Sequence, residues 1–292
     1  MFDELLFPTD GSDAATAAFE HVLDIAAEHG STVHVLNVAD TNRDSVTRLR
    51  GDVVDVLESE GEGIVREAAD RAGERGVEAV TDVVQGSPYR AIVDYADARD
   101  VDLVVMSTHG RGGLGRLLLG STTERVVRQS DVPVLTIRPN GDAVEYPYRN
   151  VLVPTDGSDG ARAALGVGVD VANATGASLH VLSVVDTASL GVDVRTDIQS
   201  ASLREGAEAT VEEATTSAAE AGVESISGTV GEGTSVHRAI GSYVEDHDVD
   251  IVVLGTHGRT GLDRYVLGSV AEKLVRTSSV PVLTVREPAD EE

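Results

Sequence analysis

Residues Ile251 to Ser269 read IVVLGTHGRTGLDRYVLGS. The run Ile251-Val252-Val253-Leu254 is short, apolar and closed by glycine. A strand buried on both faces of a parallel sheet reads this way, although four residues alone also fit a core helix. Gly255 and Gly258 follow, and nine residues separate Gly258 from Gly268-Ser269. Gly268-Ser269-Val270-Ala271-Glu272 has the form of a helix start, with small and hydroxyl residues first and a glutamate soon after. Strand, glycine loop and helix start together suit a phosphate. Glycines let backbone N–H groups approach an anion, and a helix N-terminus adds unpaired donors and a favourable dipole. The same glycines also suit a loop that only turns.

The stretch occurs twice. Val101 to Ser121, VDLVVMSTHGRGGLGRLLLGS, repeats it at an offset of 148, with Gly110, Gly120 and Ser121 against Gly258, Gly268 and Ser269. Ser107 stands where Gly255 stands. Downstream, ERVVRQSDVPVLTIR matches EKLVRTSSVPVLTVR. Upstream, Leu6-Phe7-Pro8-Thr9-Asp10-Gly11-Ser12 matches Leu152-Val153-Pro154-Thr155-Asp156-Gly157-Ser158 at an offset of 146. A repeat one domain long is a tandem duplication, not a solenoid period. The domains are expected at 1–139 and 148–287, joined by the Pro- and Gly-containing stretch Pro139 to Arg149. The change of offset places the added residues in or near 186–236.

Each half alternates strand and helix signals. In the first half strands are expected at Leu5–Pro8, Thr32–Val38, Glu78–Val84, Leu103–Met106 and Val134–Arg138. Helices are expected at Ala14–His29, within Asp44–Arg75, and at Pro88–Arg99 and Thr122–Gln129. The first helix has Ala17, Ala18, His21, Val22, Ile25 and Ala26 at helical spacing, Ser12 or Asp13 as cap, and Gly30 as stop. The second half gives the same series, with a helix at Asp197–Ala221 and a strand at Glu224–Val230. The predicted class is α/β, with two tandem Rossmann-like domains. Each would be a five-stranded parallel sheet covered by helices on both faces. With strand order 3-2-1-4-5, strands one and four adjoin at the switch point, where ligands of such sheets lie. The Asp-Gly-Ser turn and the glycine loop of each half then meet at one crevice.

Composition narrows the function. No apolar run approaches the roughly 18–20 residues of a membrane span, and the N-terminus is acidic with too short an apolar part for a signal peptide, so a cytoplasmic protein is expected. Without cysteine there are no disulfides or thiolate metal sites. Fifty acidic residues against 23 basic give a net charge of −27, which argues against nucleic acid as partner. Dispersed acid, few aromatics and a single lysine, Lys273, resemble the composition of proteins from salt-loving archaea.

Asp10 and Asp156 directly follow strand one. They fit a carboxylate meeting a sugar hydroxyl or a metal near phosphate, and they equally fit a turn or cap. A Walker G-x-x-x-x-G-K-[ST] loop is absent, and Asp-Gly-Ser replaces the G-x-G-x-x-G of dinucleotide folds. His109 and His257 fit either a phosphate contact or a loop residue held by a backbone carbonyl. Arg111 and Arg259 fit a phosphate contact or a solvated surface. No spacing suggests a protein-held metal or a catalytic triad.

These residues resemble the universal stress protein (UspA-like) family in a tandem form. The resemblance rests on P-T-D-G-S after strand one, T-H-G-R-x-G-L-x-R-x-x-L-G-S, and V-P-V-L-T-[IV]-R at the last strand. The loop pattern G-x2-G-x9-G-[ST] marks the family's ATP-binding branch. The resemblance implies an adenine nucleotide alpha hydrolase-like fold and a bound adenine nucleotide, ATP or ADP or AMP, with Mg²⁺ accompanying it. It implies that Asp156 lies by ribose and phosphates and that Val184 meets adenine through its backbone. Gly255, Gly258, Gly268, Ser269 and Val270 would hold ribose and phosphates, with Pro154, Thr155 and Leu254 alongside. In the first half the matching positions are Pro8, Thr9, Asp10, Val38, Met106, Ser107, Gly110, Gly120, Ser121 and Thr122. Ser107 departs from the pattern, so the first site is expected to bind more weakly or differently. The resemblance further implies pairing of the last strands as an intrachain pseudo-dimer, a possible homodimer of chains, and slow or no ATP hydrolysis. An ATP-acting enzyme and a scaffold with vestigial sites are the rival readings.

Overall fold

The computed structural model describes residues 2–40, 52–110, 119–139, 145–187, 195–258 and 267–287. Contacts divide the chain into two compact units, Met1–Gly141 and Asp142–Glu292.

The first unit runs β1 (Glu4–Pro8), α1 (Asp13–His29), β2 (Thr32–Ala39), α2 (Asp52–Glu74), β3 (Glu78–Gln85), α3 (Pro88–Ala98), β4 (Leu103–Ser107), α4 (Ser121–Gln129) and β5 (Val134–Ile137). The second runs β6 (Asn150–Pro154), α5 (Asp159–Thr175), β7 (Ser178–Asp186), α6 (Arg195–Glu220), β8 (Ile226–Gly233), α7 (Val236–Asp246), β9 (Ile251–Gly255), α8 (Ser269–Thr277) and β10 (Val282–Val285). The strand order is β3-β2-β1-β4-β5 in the first unit and β8-β7-β6-β9-β10 in the second, so both follow the predicted 3-2-1-4-5. Every pairing within a unit is parallel.

The central strands are buried on both faces, which explains their unbroken apolar runs: Leu5, Leu6, Val104, Val105, Leu152 and Val252 have no exposed surface. Helix α1 presents Ala15, Ala18, Phe19, Val22 and Ile25 to this sheet, and the Phe7 and Phe19 rings meet at 4.8 Å. Ala17 faces solvent instead, one position off the buried stripe. Ser12 is the N-cap of α1, its Oγ accepting from Ala15 N at 3.3 Å, and Ser158 caps α5 in the same way. Gly30 and Gly176 end these helices in the left-handed region, with φ of 69° in both.

Strand β8 reaches Gly233, beyond the expected Val230, because β7 extends to Asp186 and supplies the ladder Val184↔Gly231, Val185↔Glu232 and Asp186↔Gly233. Helix α2 is described from Asp52, and residues 44–51 of the expected helix lie outside the described residues. Among the described residues no helix is long and apolar enough to cross a membrane.

Candidate functional site

The crevice starts where β1 stops. Thr9 N donates to Leu36 O at 2.8 Å, the last rung between β1 and β2. The chain then turns on its own side chains. Gly11 N donates to Thr9 Oγ1 at 3.1 Å, and Ser12 N donates to Asp10 Oδ1 at 3.0 Å. Gly11 has φ +71°, which favours glycine. The second unit repeats the turn, with Gly157 N on Thr155 Oγ1 at 3.2 Å and Ser158 N on Asp156 Oδ1 at 3.0 Å. There Ser158 Oγ also donates to Asp156 Oδ1, at 2.6 Å. Each aspartate therefore uses Oδ1 as a turn residue, and the turn aims the other oxygen.

That second oxygen meets the glycine loop. A β-carbon built on Gly110 would fall on Asp10 Oδ2, and one on Gly258 would lie 2.7 Å from Asp156 Oδ2. Only glycine lets the carboxylate and the loop backbone come this close. The loop is closed at its neck by Gly120 N donating to Thr108 O, and by Gly268 N donating to Thr256 O, both at 2.8 Å. A β-carbon at Gly268 would sit 3.0 Å from that carbonyl. The necks are tied to the sheet through Thr108 N on Ile137 O and Thr256 N on Val285 O, both at 2.9 Å.

Helices α4 and α8 begin directly at these necks. Gly120 and Gly268 are their N-caps, and neither helix has a side-chain cap on its first turn. Among the described residues no side chain caps the leading amides of Ser121-Thr122 and Ser269-Val270, the orphan donors of a helix start. Ser121 and Ser269 are exposed.

Val38 and Val184 lie on the other side of the crevice. β2 pairs with β1 only as far as Leu36, but with β3 as far as Ala39. Leu36 turns its carbonyl toward β1, so Val38, two residues on, turns its backbone the same way, past the end of β1. Val184 stands in the same relation to Leu182. Pro8, Thr9, Thr155, Met106 and Leu254 bound the crevice, but Pro8, Met106 and Leu254 are buried in the strands and the two threonine hydroxyls serve the turns. At these positions only the backbone is left to face the crevice.

Ser107 and Gly255 differ in what packs around them. The space of a side chain at Gly255 is filled by helix α5, since a β-carbon there would lie 2.6 Å from Gly160 O. Gly160 in turn has room for no β-carbon, which would lie 2.7 Å from His257 O. The first unit has Ala14 and Ser107 at these two places. Ser107 Oγ donates to His109 O at 2.6 Å, and Thr123 Oγ1 donates to Ser107 O at 3.0 Å. The exchange concerns how helix and loop are seated. The matched change from Gly160 to Ala14 was its signal in the aligned halves.

His109 and His257 are held by a neighbouring side chain, not by a carbonyl: Nδ1 meets Thr108 Oγ1 at 2.9 Å and Thr256 Oγ1 at 3.0 Å. Both Nε2 atoms are buried without a hydrogen-bond partner among the described residues. Arg111 and Arg259 lie outside the described residues. Among the described residues, no group of three or more histidines and carboxylates is placed to hold a metal ion.

A profile of the universal stress protein family matches residues 1–138 and again 147–286. The chain belongs to the universal stress protein family. It carries two such domains in tandem. It is 33% identical over 141 residues to a universal stress protein of Methanocaldococcus jannaschii, covering 47% of this chain and 83% of that one. It is 31% identical over 245 residues to a universal stress protein of Mycobacterium tuberculosis, covering 79% and 78% of the two chains. The crystal structure of a universal stress protein from Archaeoglobus fulgidus matches 99% of this chain and 100% of that one with a TM-score of 0.75. At 24% identity this likeness shows the fold, which is the universal stress protein fold.

Proposed function

We propose that each universal stress protein domain binds an adenine nucleotide in the crevice between the ends of its first and fourth strands. In this reading the nucleotide is ATP accompanied by Mg²⁺, and the protein responds to stress through its nucleotide state. The observation that carries the reading is one arrangement met twice. A carboxylate oxygen presses on a glycine loop, and the neck of that loop opens into a helix start without a side-chain cap. The backbone of Val38 or Val184 would take the adenine edge, Asp10 or Asp156 the ribose hydroxyls, and the neck and first helical turn the phosphates. Such amides fit an anion, and the glycines leave the room that it needs.

Hydrolysis is expected to be slow. Phosphoryl transfer depends on positioned charge and a positioned nucleophile, and the chain's one lysine, Lys273, lies in α8 and not in a Walker loop. Calorimetric titration with ATP and Mg²⁺ in molar KCl tests the reading. Two sites per chain are expected in the wild type and one in Gly268→Val, whose side chain would meet the Thr256 carbonyl. No binding in the wild type would overturn it.

A further inference from the structure

In a chain with 50 acidic and 23 basic residues, basic side chains have carboxylates to pair with. Arg71, Arg75, Arg204, Arg128 and Arg276 all do. Arg66, Arg90, Arg125, Arg238 and Lys273 form no ion pair among the described residues.

Arg66 stands alone on α2, but the other four are not scattered. Arg90 and Arg125 hold their guanidinium carbons 5.7 and 5.0 Å from the centroid of one ring, Tyr89. Arg90 comes from the start of α3 and Arg125 from the second turn of α4, so two cations converge at the carboxyl edge of the sheet without a carboxylate between them. The second unit rebuilds the cluster with other residues. His237 replaces Tyr89, Arg238 replaces Arg90, and the chain's one lysine, Lys273, replaces Arg125. Helix α7 packs on α8 as α3 packs on α4, and both positive charges contribute to lowering the pKa of His237 after burial. The duplication has changed two of the three residues and kept both charges.

The cluster adjoins the site. Ser121 and Arg125 are four residues apart on α4, as are Ser269 and Lys273 on α8, so each pair shares one helix face. The Cα of Arg125 or Lys273 lies about 6 Å along the axis from that of the first helical residue. Glu124 and Glu272, which lie next to these cations in sequence, are engaged by Arg128 at 2.7 Å and Arg276 at 3.0 Å.

We propose that Arg90 with Arg125, and Arg238 with Lys273, seat the distal phosphates of the bound nucleotide and make each site select the triphosphate over the monophosphate. The inference rests on the nucleotide-binding reading above. Arg90 Nε donates to Tyr89 Oη at 2.9 Å, a neutral partner; an anion between the two cations relieves their mutual repulsion and supplies a charged one.

The test compares ATP and AMP affinities in molar KCl, where a Debye length of about 3 Å removes long-range charge effects. The wild type should favour ATP by about tenfold or more, the scale of hydrogen bonds to charged groups. In the variant R90Q/R125Q/R238Q/K273Q, ATP affinity should fall about tenfold more than AMP affinity. Arg125→Lys, which copies the second unit, should keep the preference. An unchanged ATP-to-AMP ratio in the fourfold variant, or no preference in the wild type, would overturn this inference and leave nucleotide binding standing. Failure of both nucleotides to bind would overturn both.

Discussion

Gly255 and Gly160 touch backbone to backbone: a β-carbon added to Gly255 would lie 2.6 Å from the Gly160 carbonyl oxygen. The first glycine of the loop motif in the second domain is thus required by helix α5. Gly255→Ser, which copies the first domain, should destabilise the second domain by about 1–3 kcal/mol, the cost of overpacking. Ser107→Gly should not strengthen nucleotide binding in the first domain, because it removes the Ser107 Oγ bond to His109 O without opening space toward a ligand. Urea unfolding of Gly255→Ser and titration of Ser107→Gly check the two halves of this prediction. Unaltered stability of Gly255→Ser would show that helix α5 is free to withdraw.

Gly110 and Gly258 do a different job, since their missing side chains make room for the carboxylates of Asp10 and Asp156. Gly258→Ala should push Asp156 out of its turn, where Oδ1 holds Ser158 N at 3.0 Å. Nucleotide affinity at the second site should fall about tenfold or more, the scale of one lost charge-assisted contact. Calorimetry of Gly258→Ala beside Asp156→Asn is the check. Equal affinities in wild type and Gly258→Ala would remove Asp156 from the proposed site.

Much of this was legible because the chain is written twice. Strand order, the meeting of Asp10 with the glycine loop, and the helix start at Ser121 follow from alternation and from the switch-point rule. Strand ends were less legible, since β8 continues to Gly233 only because β7 continues beside it, which is a tertiary fact. The direction of a missing side chain was not legible at all. Gly255, Gly258 and Gly268 look alike in the motif, yet one faces helix α5, one a carboxylate and one the carbonyl of its own neck. The cationic clusters were hidden because Arg90 and Arg125 are far apart in sequence and become neighbours only when α3 packs on α4.

Tyr95 and Tyr243 occupy matching places with unequal partners. Tyr95 Oη donates to Asp82 Oδ2 at 2.6 Å and meets His34 Nδ1 at 3.0 Å, and His34 Nε2 meets Glu4 Oε2 at 2.7 Å. Burial, followed by the hydrogen bond to Asp82, raises the pKa of Tyr95 well above the ordinary tyrosine range. Tyr243 instead meets Thr229 Oγ1 at 3.5 Å and His180 Nδ1 at 3.1 Å, and His180 Nε2 is 3.4 Å from Asn150 Oδ1. Tyr95→Phe should therefore cost about 1.5–3 kcal/mol and Tyr243→Phe about 0.5–1.5 kcal/mol, the ranges for bonds to charged and to neutral partners. Parallel denaturant titrations decide it, and a reversed order would refute the charge argument.

Acid should weaken the fold above the ordinary carboxylate range. Three histidines have pKa values below their ordinary 6.5. They are His29, lowered by burial and then by the chain's N-terminus, His180, lowered by burial and then by His247, and His237, lowered by burial and then by Lys273 and Arg238. For each, the unfolded chain takes up a proton near pH 6.5 while the folded chain resists until a lower pH. Between those values the unfolded state holds more protons, so stability rises with pH. The contribution is fully present above about pH 7.5 and is lost as pH falls through 6.5 toward the folded values. The ordinary carboxylate range near pH 4 lies below this window. Urea unfolding at pH 7.5, 6.5 and 5.5 in constant KCl should show falling stability, and H29Q/H180Q/H237Q should flatten the dependence. Stability that rises toward pH 5.5 in the wild type would mean that relief of the acidic surface outweighs these three histidines.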